Sequence, residues 1–335
     1  MTSESRVPSV GLVLPQYESS WEEALRLAVE AERVGFATLW LEDHFRPWAH
    51  ADTGPALEGW TTIAALSQVT SRIRLGTLVT CTSYREPALV AKMGATLDVI
   101  SGGRFILGIG AGWYAEEYEA YGYLFPAPGE RVGRLRDAVR IVRAMWTEES
   151  PTLVTPHYTV REARCNPRPL QRPSPPIWIG GGGPRILRIA ARHADGWNYG
   201  AMTPQQFAAK REALRAYVAA AGRGPDAVTA SLELFVFLGA TEAEARERVR
   251  AFEAARPPGN AVRLLIRDAY YATRIEGSPD EVARRLAAYA AAGVDHFTLV
   301  FPDPDLATIR LFGEEVLPRL AAGCHAADSR HGRLS

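Results

Sequence analysis

The segment AERVGFATLWLEDHF, Ala31–Phe45, contains the structural unit that predicts the fold. An amphipathic stretch ends at Gly35, and a run of apolar residues begins directly after it. Glycine is common just past the end of a helix, because that position often requires a positive φ. YAAAGVDHFTLVFPD, Tyr289–Asp303, repeats this order, and RIAARHADGWNYG, Arg188–Gly200, is a weaker copy. The sequence therefore repeats a helix–glycine–strand unit.

Other apolar runs have the length of buried strands and bring the predicted total to eight: Val10–Leu14, Arg74–Thr80, Arg104–Gly108, Ile177–Ile179 and Ser231–Leu238. Segments with helical spacing separate them: Trp21–Val34, Gly54–Val69, Pro87–Ile100, Gly129–Trp146, Pro184–Arg192, Pro204–Ala221 and Glu242–Ala255. Apolar strands that alternate with helices predict a parallel sheet. Eight such strands favour a closed (β/α)8 TIM barrel, an α/β fold, over an open doubly wound sheet.

Two stretches exceed what a minimal barrel needs. Glu149–Pro176 is rich in proline and turn residues and contains a possible short hairpin, whereas Arg256–Pro279 shows no clear periodicity. We interpret both as loop insertions within one barrel domain that spans residues 1–335. In such barrels the active site lies at the C-terminal ends of the strands, so the residues that end each strand are the candidates for chemistry.

Composition excludes several classes of function. Lys+Arg and Asp+Glu both number 38, so no basic field is available for nucleic acid. No apolar run approaches the ~18 residues that span a bilayer, and the N-terminus lacks the features of a secretory signal. Three cysteines without paired spacing, and no H-E-x-x-H motif, argue against disulfides and a zinc site. We expect a cytoplasmic protein that binds a small molecule, with no nucleic-acid, membrane or metal partner.

Two polar residues stand where the second predicted strand ends. In LWLEDHFRPW, Leu39–Trp48, Asp43 and His44 follow strand-forming residues. An imidazole titrates near neutrality, and a neighbouring carboxylate can orient it or bind a polar group of a ligand. Adjacent strand residues point to opposite faces, so both face one ligand only if the strand has already ended. The alternative is that Asp43 only caps a loop and His44 is an incidental polar residue. Their position at the end of a predicted barrel strand favours a functional pair.

A run of four glycines follows another predicted strand. In IWIGGGGPRIL, Gly180, Gly181, Gly182 and Gly183 precede Pro184, which suits the first position of a helix. Glycines let backbone N–H groups approach an anion, and a helix N-terminus adds favourable partial charge. A flexible turn is the alternative. Since glycine loses much conformational entropy on folding, four together favour phosphate binding.

A second glycine-rich strand end is LGIGAGWY, Leu107–Tyr114. The dinucleotide-binding pattern G-x-G-x-x-G would need glycine at position 113, where this chain has tryptophan. We therefore interpret this strand end as kept small so that a flat ring can lie against the backbone.

Other residues near strand ends are less specific. Cys81 has no histidine or other base tied to it by sequence, so a small buried thiol is favoured over a nucleophile. Among the aromatic residues, Trp48 and Trp113 are the ones that we expect to line a substrate pocket.

Taken together, these segments resemble the luciferase-like monooxygenase superfamily, and within it the branch that uses coenzyme F420, an 8-hydroxy-5-deazaflavin. The resemblance covers almost the whole chain. It is carried by EDHFRPW, by GTLVTCTSYREPALVAKMGATLDVISGGRFILGIGAGW, and by PPIWIGGGGP followed by HADGWN. The family fold is a (β/α)8 barrel, usually dimeric, so a homodimer is expected.

The resemblance implies roles for individual residues. Asp43 would contact the cofactor ring, His44 would be the catalytic acid or base, and Trp48 would hold the substrate beside it. The remaining cofactor-binding positions are Leu78, Val79 and Thr80 at a bulge whose Leu78–Val79 bond would be cis, Ala111 and Gly112 beside the ring, and Gly180, Gly181, Gly182 and Gly183 around the phosphate.

Two departures from the family pattern concern the substrate. Members of the branch that oxidise a sugar phosphate have a glutamate, their proposed proton donor, where this chain has Trp113. They also have a phosphate-binding lysine shortly after the strand that corresponds to DGWNYGAMT, a segment without lysine here. Glu116 and Glu117 are near Trp113 in sequence, but that does not make them replacements. A sugar phosphate is therefore not expected as the substrate.

The resulting hypothesis is an oxidoreductase that transfers a hydride between C5 of F420 and a C=C, C=N or carbonyl/alcohol substrate. The protein would place C5 against the substrate and shield it from water. The alternative is a monooxygenase that uses reduced FMN supplied by a separate reductase. A non-catalytic flavin-binding protein is a third, lesser alternative.

Overall fold

A closed barrel of eight parallel strands forms the centre of the computed structural model, which describes residues 7–48, 54–255, 261–302 and 304–331. The strands are β1 (Ser9–Val13), β2 (Thr38–Leu41), β3 (Arg74–Thr77), β4 (Thr80–Cys81), β5 (Phe105–Gly110), β6 (Leu153–Val154), β7 (Thr159–Val160), β8 (Ile177–Gly180), β9 (Gly196–Gly200), β10 (Thr229–Leu238), β11 (Ile275–Gly277) and β12 (His296–Val300). The order around the barrel is β1–β2–β3–β5–β8–β9–β10–β12, and β12 pairs with β1. The predicted TIM barrel is confirmed.

Helices cover the outside of the barrel. In α1, Ser20 and Glu23 form a capping box at the start, and Gly35 ends the helix with φ of 100°, as the repeat unit predicts. The helices are α1 (Trp21–Val34), α2 (Gly59–Leu66), α3 (Pro87–Ile100), α4 (Ala115–Ala120), α5 (Pro128–Thr147), α6 (Pro184–His193), α7 (Pro204–Ala220), α8 (Glu242–Ala254), α9 (Ala261–Ala272), α10 (Pro279–Ala291), α11 (Leu306–Leu311) and α12 (Leu317–His331), with a π-helical segment at Phe312–Val316. No described helix is both long and apolar enough to cross a membrane.

Some boundaries differ from the predictions. The predicted strand Arg74–Thr80 stops at Thr77 and resumes as β4, because a bulge interrupts it. The predicted hairpin inside Glu149–Pro176 forms from β6 and β7. The reading of Arg256–Pro279 as lacking a regular period was wrong, since it contains α9 and β11, and β11 pairs with β10. Residues 256–260 lie outside the described residues.

Two tryptophans fill the lower part of the barrel. The rings of Trp40 and Trp178 lie 5.0 Å apart, and both residues are buried. A Cβ atom at Gly11 or at Gly76 would lie within 3 Å of the Trp40 ring, so glycine at these positions makes room for the indole. Because the interior is packed at this level, a ligand can enter only at the C-terminal ends of the strands.

Candidate active site

His44 and Glu117 form a hydrogen-bonded pair at the mouth of the barrel. His44 lies just after β2, and its Nδ1 is 2.8 Å from Glu117 Oε2, on α4. The Glu117 side chain is fully buried, whereas that of His44 is 16% exposed. Among the described residues, no hydrogen bond reaches His44 Nε2. With the proton on Nδ1 directed at Glu117, Nε2 is left to accept or return a proton.

The charges of this pair reinforce each other. Burial lowers the pKa of His44, but the hydrogen bond and negative charge of Glu117 outweigh it, so the pKa is raised overall. Burial raises the pKa of Glu117, but His44 and its other donors lower it overall. These donors are the Tyr84 hydroxyl at 2.6 Å and the Phe45 N–H at 2.7 Å. Glu117 is therefore held ionised and fixes the imidazole.

Asp43 is turned to the other side of the loop. Arg85 Nη1 donates to its two carboxylate oxygens at 2.9 and 2.8 Å, and the Cys81 N–H donates at 2.8 Å. Burial raises the pKa of Asp43 to about 6, although the charge of Arg85 acts in the opposite direction. Asp43 thus ties the end of β2 to β4. The strand has ended at Leu41, the condition under which both residues could face one ligand, but Asp43 binds Arg85 and the Cys81 N–H whereas His44 pairs with Glu117.

Trp48 and Trp113 meet beside His44. Trp113 packs edge-on against His44 at 5.5 Å and against Trp48 at 6.1 Å between ring centroids. Trp48 Nε1 donates to both carboxylate oxygens of Glu42, at 2.9 and 2.8 Å, and the Tyr17 hydroxyl donates to Glu42 at 2.7 Å. Glu42 thereby sets the orientation of Trp48. The structure brings together the two residues predicted to line the substrate pocket.

The bulge after β3 contains the cis peptide bond predicted between Leu78 and Val79. Val79 fills the space above three strand-end glycines: a Cβ at Gly110 or Gly180 would lie 2.6 or 2.8 Å from its Cγ2, and one at Gly108 would lie 3.1 Å from its Cγ1. Thr80 is fully buried and its hydroxyl donates to Thr77 Oγ1, so its side chain supports the bulge and does not face the barrel mouth.

Ala111 and Gly112 follow β5 at the same level. Gly112 has φ of 78°, and a Cβ there would lie 2.0 Å from the Tyr118 hydroxyl oxygen. That hydroxyl contacts Cys81 Sγ at 2.9 Å. Cys81 is buried, which confirms the expectation of a small buried thiol, and burial raises the pKa of this thiol to about 12.

The glycine loop after β8 has the form of an anion site. Gly181 has φ of 123°, and its N–H donates to Asn198 O at 3.0 Å. Gly183 caps α6, whose first position is Pro184. Neither the Gly182 nor the Gly183 N–H donates to an acceptor in the described part of the chain. These groups can meet an anion at the start of α6.

Neighbouring side chains shape this loop. A Cβ at Gly182 would lie 2.6 Å from the Tyr199 ring, so only glycine fits between that ring and the mouth. Lys210, on α7, donates to Gly182 O at 2.6 Å. The chain has only two lysines, Lys92 and Lys210, and this scarcity was the one sequence signal that could have drawn attention to Lys210.

Two further residues that sequence reasoning missed lie at the mouth. Glu233 is buried on the inward face of β10, and burial followed by the charge of Glu42 raises its pKa to about 8. Its carboxyl group is hydrogen-bonded by Tyr270, whose ring lies 5.8 Å from that of Trp48. Tyr270 belongs to α9, the helix that the sequence analysis did not predict. No group of three or more potential metal-binding side chains occurs among the described residues.

A family model for luciferase-like monooxygenases matches residues 6–296. The chain belongs to the luciferase-like monooxygenase family. A protein of the family named F420-dependent glucose-6-phosphate dehydrogenase, from Microbacterium testaceum, is 33% identical over 318 residues, which cover 89% of this chain and 93% of the relative. A protein named F420-dependent hydroxymycolic acid dehydrogenase, from Mycobacterium tuberculosis, is 33% identical over 246 residues, covering 73% and 67%.

Solved structures of luciferase-like proteins share the barrel. An F420-dependent secondary alcohol dehydrogenase in complex with an F420–acetone adduct has a TM-score of 0.82 at 23% identity, over 94% of this chain and 99% of that one. The coenzyme F420-dependent tetrahydromethanopterin reductase from Methanopyrus kandleri has a TM-score of 0.79 at 24% identity, with the same coverage. At these sequence identities, the similarity to the two structures shows a shared fold.

Proposed function

We propose that this luciferase-like protein is an F420-dependent oxidoreductase that transfers a hydride between C5 of the deazaflavin and a small alcohol, carbonyl, C=N or C=C substrate. The observation that carries the proposal is the His44–Glu117 pair, which leaves His44 Nε2 available at the C-terminal mouth of the barrel. The relatives named as F420-dependent dehydrogenases support the choice of cofactor.

The residues at the barrel mouth fit a deazaflavin. When bound, F420 accepts or gives a hydride at C5. The ring would lie over Val79, where Gly110 and Gly180 keep the strand ends free of side chains. The phosphate would be held by the N–H groups of Gly182 and Gly183 at the start of α6. The prediction that Asp43 contacts the ring remains a proposal.

His44 would handle the proton of the substrate. In alcohol oxidation, Nε2 accepts the hydroxyl proton while the hydride leaves the carbon, and the resulting imidazolium is stabilised by Glu117 at 2.8 Å. In carbonyl reduction, the same nitrogen returns the proton. General acid–base catalysis of this kind contributes typically about 10²–10⁴-fold.

The substrate is proposed to lack a phosphate group. The part of the site around Trp48 is bordered by the carboxyl groups of Glu42 and Glu233 and by the Tyr270 ring, and these groups offer no counter-charge to a phosphate. The relative named for hydroxymycolic acid supports a non-phosphorylated alcohol as a substrate type within this branch.

The test is a binding titration of the purified protein with F420 and, separately, with FMN, followed by tryptophan fluorescence, because Trp48 and Trp113 lie at the mouth. Saturable binding of F420 in preference to FMN supports the proposal. Preference for FMN would support the monooxygenase alternative, in which a separate reductase supplies reduced cofactor. Binding of F420 with an unchanged rate of turnover in His44→Ala would support a role for His44 outside catalysis, and binding without turnover of any substrate would support a non-catalytic flavin-binding protein.

We also propose that the protein is a homodimer that pairs through its first three helices. Exposed apolar side chains occur on or directly after these helices: Val29 on α1, Val69 just after α2, and Leu89 and Ile100 on α3, each more than 40% exposed. Exposed apolar side chains of this kind suit an interface between copies of the chain. Light scattering should give twice the chain mass, and Leu89→Glu should lower it to one chain mass. A monomeric native protein would refute the pairing.

A further inference from the structure

Side chains from neighbouring elements hold the carbonyl oxygens of two successive glycines in the loop after β8. Trp197 Nε1, on β9, donates to Gly181 O at 2.8 Å. Lys210 Nζ, on α7, donates to Gly182 O at 2.6 Å. Trp197 is fully buried, so the core fixes its indole ring. The loop is therefore anchored at two consecutive peptide groups by side chains that are not part of it.

An anchored carbonyl also sets the direction of the N–H group in the same peptide. In a trans peptide, the C=O and N–H bonds lie in one plane and point in opposite directions. Gly181 O shares its peptide with the Gly182 N–H, and Gly182 O shares its peptide with the Gly183 N–H, and both peptides are trans. Trp197 and Lys210 thus turn away from themselves the two N–H groups that are proposed to hold the cofactor phosphate.

The loop is open at Gly183 and closed at Gly182. A Cβ atom at Gly183 would meet no described atom within 4 Å, whereas one at Gly182 would lie 2.6 Å from the Tyr199 ring. Gly183 also caps α6, so an anion beside it would meet the partial positive charge at the start of that helix. The direction of the Gly183 N–H therefore matters most for binding a phosphate here.

Lys210 brings to this loop a positive charge that no carboxylate compensates. Within the part of the chain that the structure describes, its Nζ donates to Gly182 O and forms no ion pair. Arg211, the next residue, pairs with Asp295 at 3.0 Å instead. A cation that binds a carbonyl oxygen polarises the peptide and makes the N–H on its other side a stronger donor. Trp197 is neutral, so this contribution comes from Lys210.

We infer that Lys210 is a positioning residue for the cofactor phosphate. It sets the direction of the Gly183 N–H and strengthens that group as a donor, acting through the peptide and not by touching the phosphate. This role rests on the proposed function, in which a phosphorylated cofactor binds at the barrel mouth. Because it concerns the phosphate and not the ring, the role is the same for a deazaflavin and for a flavin.

The experiment compares ligand pairs that differ only in a phosphate group. One pair is 8-hydroxy-5-deazariboflavin and its 5′-phosphate, and the other is riboflavin and FMN. Each ligand is titrated into the purified protein, and tryptophan fluorescence gives its Kd. The ratio of the two Kd values in a pair isolates the contribution of the phosphate from that of the ring.

The chain offers a matched control for the variant Lys210→Met, which removes the ammonium group and keeps an unbranched side chain. Lys92, on α3, is the other lysine of the chain, is also half-buried, and also donates to a backbone carbonyl oxygen, that of Asn166. Lys92→Met therefore causes the same chemical change away from the glycine loop. Lys210→Arg tests rescue, since a guanidinium keeps the charge and the N–H donors.

In Lys210→Met, the Kd of the phosphorylated ligand should rise about tenfold, the size expected when a hydrogen bond to a charged group is lost. The Kd of its phosphate-free partner should stay unchanged. Lys92→Met should bind all four ligands as the native protein does, and Lys210→Arg should recover part of the lost affinity.

Equal weakening of both members of a pair in Lys210→Met would show a general structural role and overturn the inference. An unchanged Kd ratio would overturn it as well. Failure of the proposed function has a different signature. Tighter binding of FMN than of the deazaflavin phosphate would refute the F420 assignment, whatever the effect of Lys210. Preference for the deazaflavin with an unchanged Kd ratio in Lys210→Met would refute the role of Lys210 alone.

Discussion

Replacing Glu117 by glutamine removes the negative charge beside His44 and preserves the size of the side chain. Glu117 accepts hydrogen bonds from His44, Tyr84 and the Phe45 N–H, all at 2.6–2.8 Å and all buried or partly buried. A glutamine amide group that turns its N–H₂ toward His44 would force Nδ1 to become an acceptor. The proton would then move to Nε2, the atom that must accept the substrate proton. We expect kcat for alcohol oxidation to fall by about 10²–10⁴-fold.

The pH dependence gives an independent readout. Glu117 raises the pKa of His44 above its ordinary value of 6.5, whereas burial alone would lower it. In the native protein, the rate of alcohol oxidation should rise with pH as His44 loses its proton, with a midpoint above 6.5. In Glu117→Gln the midpoint should move to lower pH, while the maximal rate stays low. The assay is F420 reduction by a secondary alcohol, followed by absorbance across the pH range.

The pKa shifts of His44 and Glu117 also predict how the stability of the folded protein depends on pH. A raised pKa of His44 contributes stability that is fully present below about pH 6.5 and is lost as pH rises through the folded value. The lowered pKa of Glu117 contributes stability above about 4.5 that is lost on acidification. The difference in Tm between the native protein and Glu117→Gln should therefore be largest between about pH 4.5 and about pH 6.5. Glu119→Gln on the exposed face of α4 is the control. An unchanged pH midpoint and native kcat in Glu117→Gln would refute the reasoning.

Three further predictions concern the cofactor loop, the thiols and Glu233. Gly181→Val should weaken F420 affinity at least about tenfold, because φ of 123° disfavours a side chain there. The control is Gly224→Val, where the new side chain meets open space, and this variant should bind F420 as the native protein does. Equal fluorescence titrations of the two variants with F420 would contradict the loop assignment. The native protein should not react with a thiol reagent at pH 8, since its three cysteines are buried and the pKa of Cys81 is about 12; modification before unfolding would contradict this. The raised pKa of Glu233 means that stability falls as pH rises from about 4.5 to about 8. The Tm of Glu233→Gln should decline less over that range, and parallel Tm curves would show that Glu233 does not titrate there.

Local sequence signals were sufficient for the barrel and for part of the site. The unit at Ala31–Phe45 contains its own helix stop at Gly35 and its own strand, so its copies could be identified without knowledge of the fold. His44 and the loop Gly180–Gly183 were found for the same reason, because strand ends in a parallel barrel meet at one mouth. The helix α9 was missed although its apolar residues have helical spacing, because the prolines and the glycine of RPPGN, directly before it in the sequence, favoured a loop.

Contacts between distant parts of the chain were decided only by closure of the barrel. Glu117 lies 73 residues from His44 in sequence, yet α4 returns it to 2.8 Å from Nδ1. Glu233 acquires its raised pKa because β10 turns it into the buried mouth of the barrel, near the charge of Glu42. The sequence by itself determined which residues end the strands. The tertiary structure decided which charges and cavities those residues share, because burial and distance depend on elements that are remote along the chain.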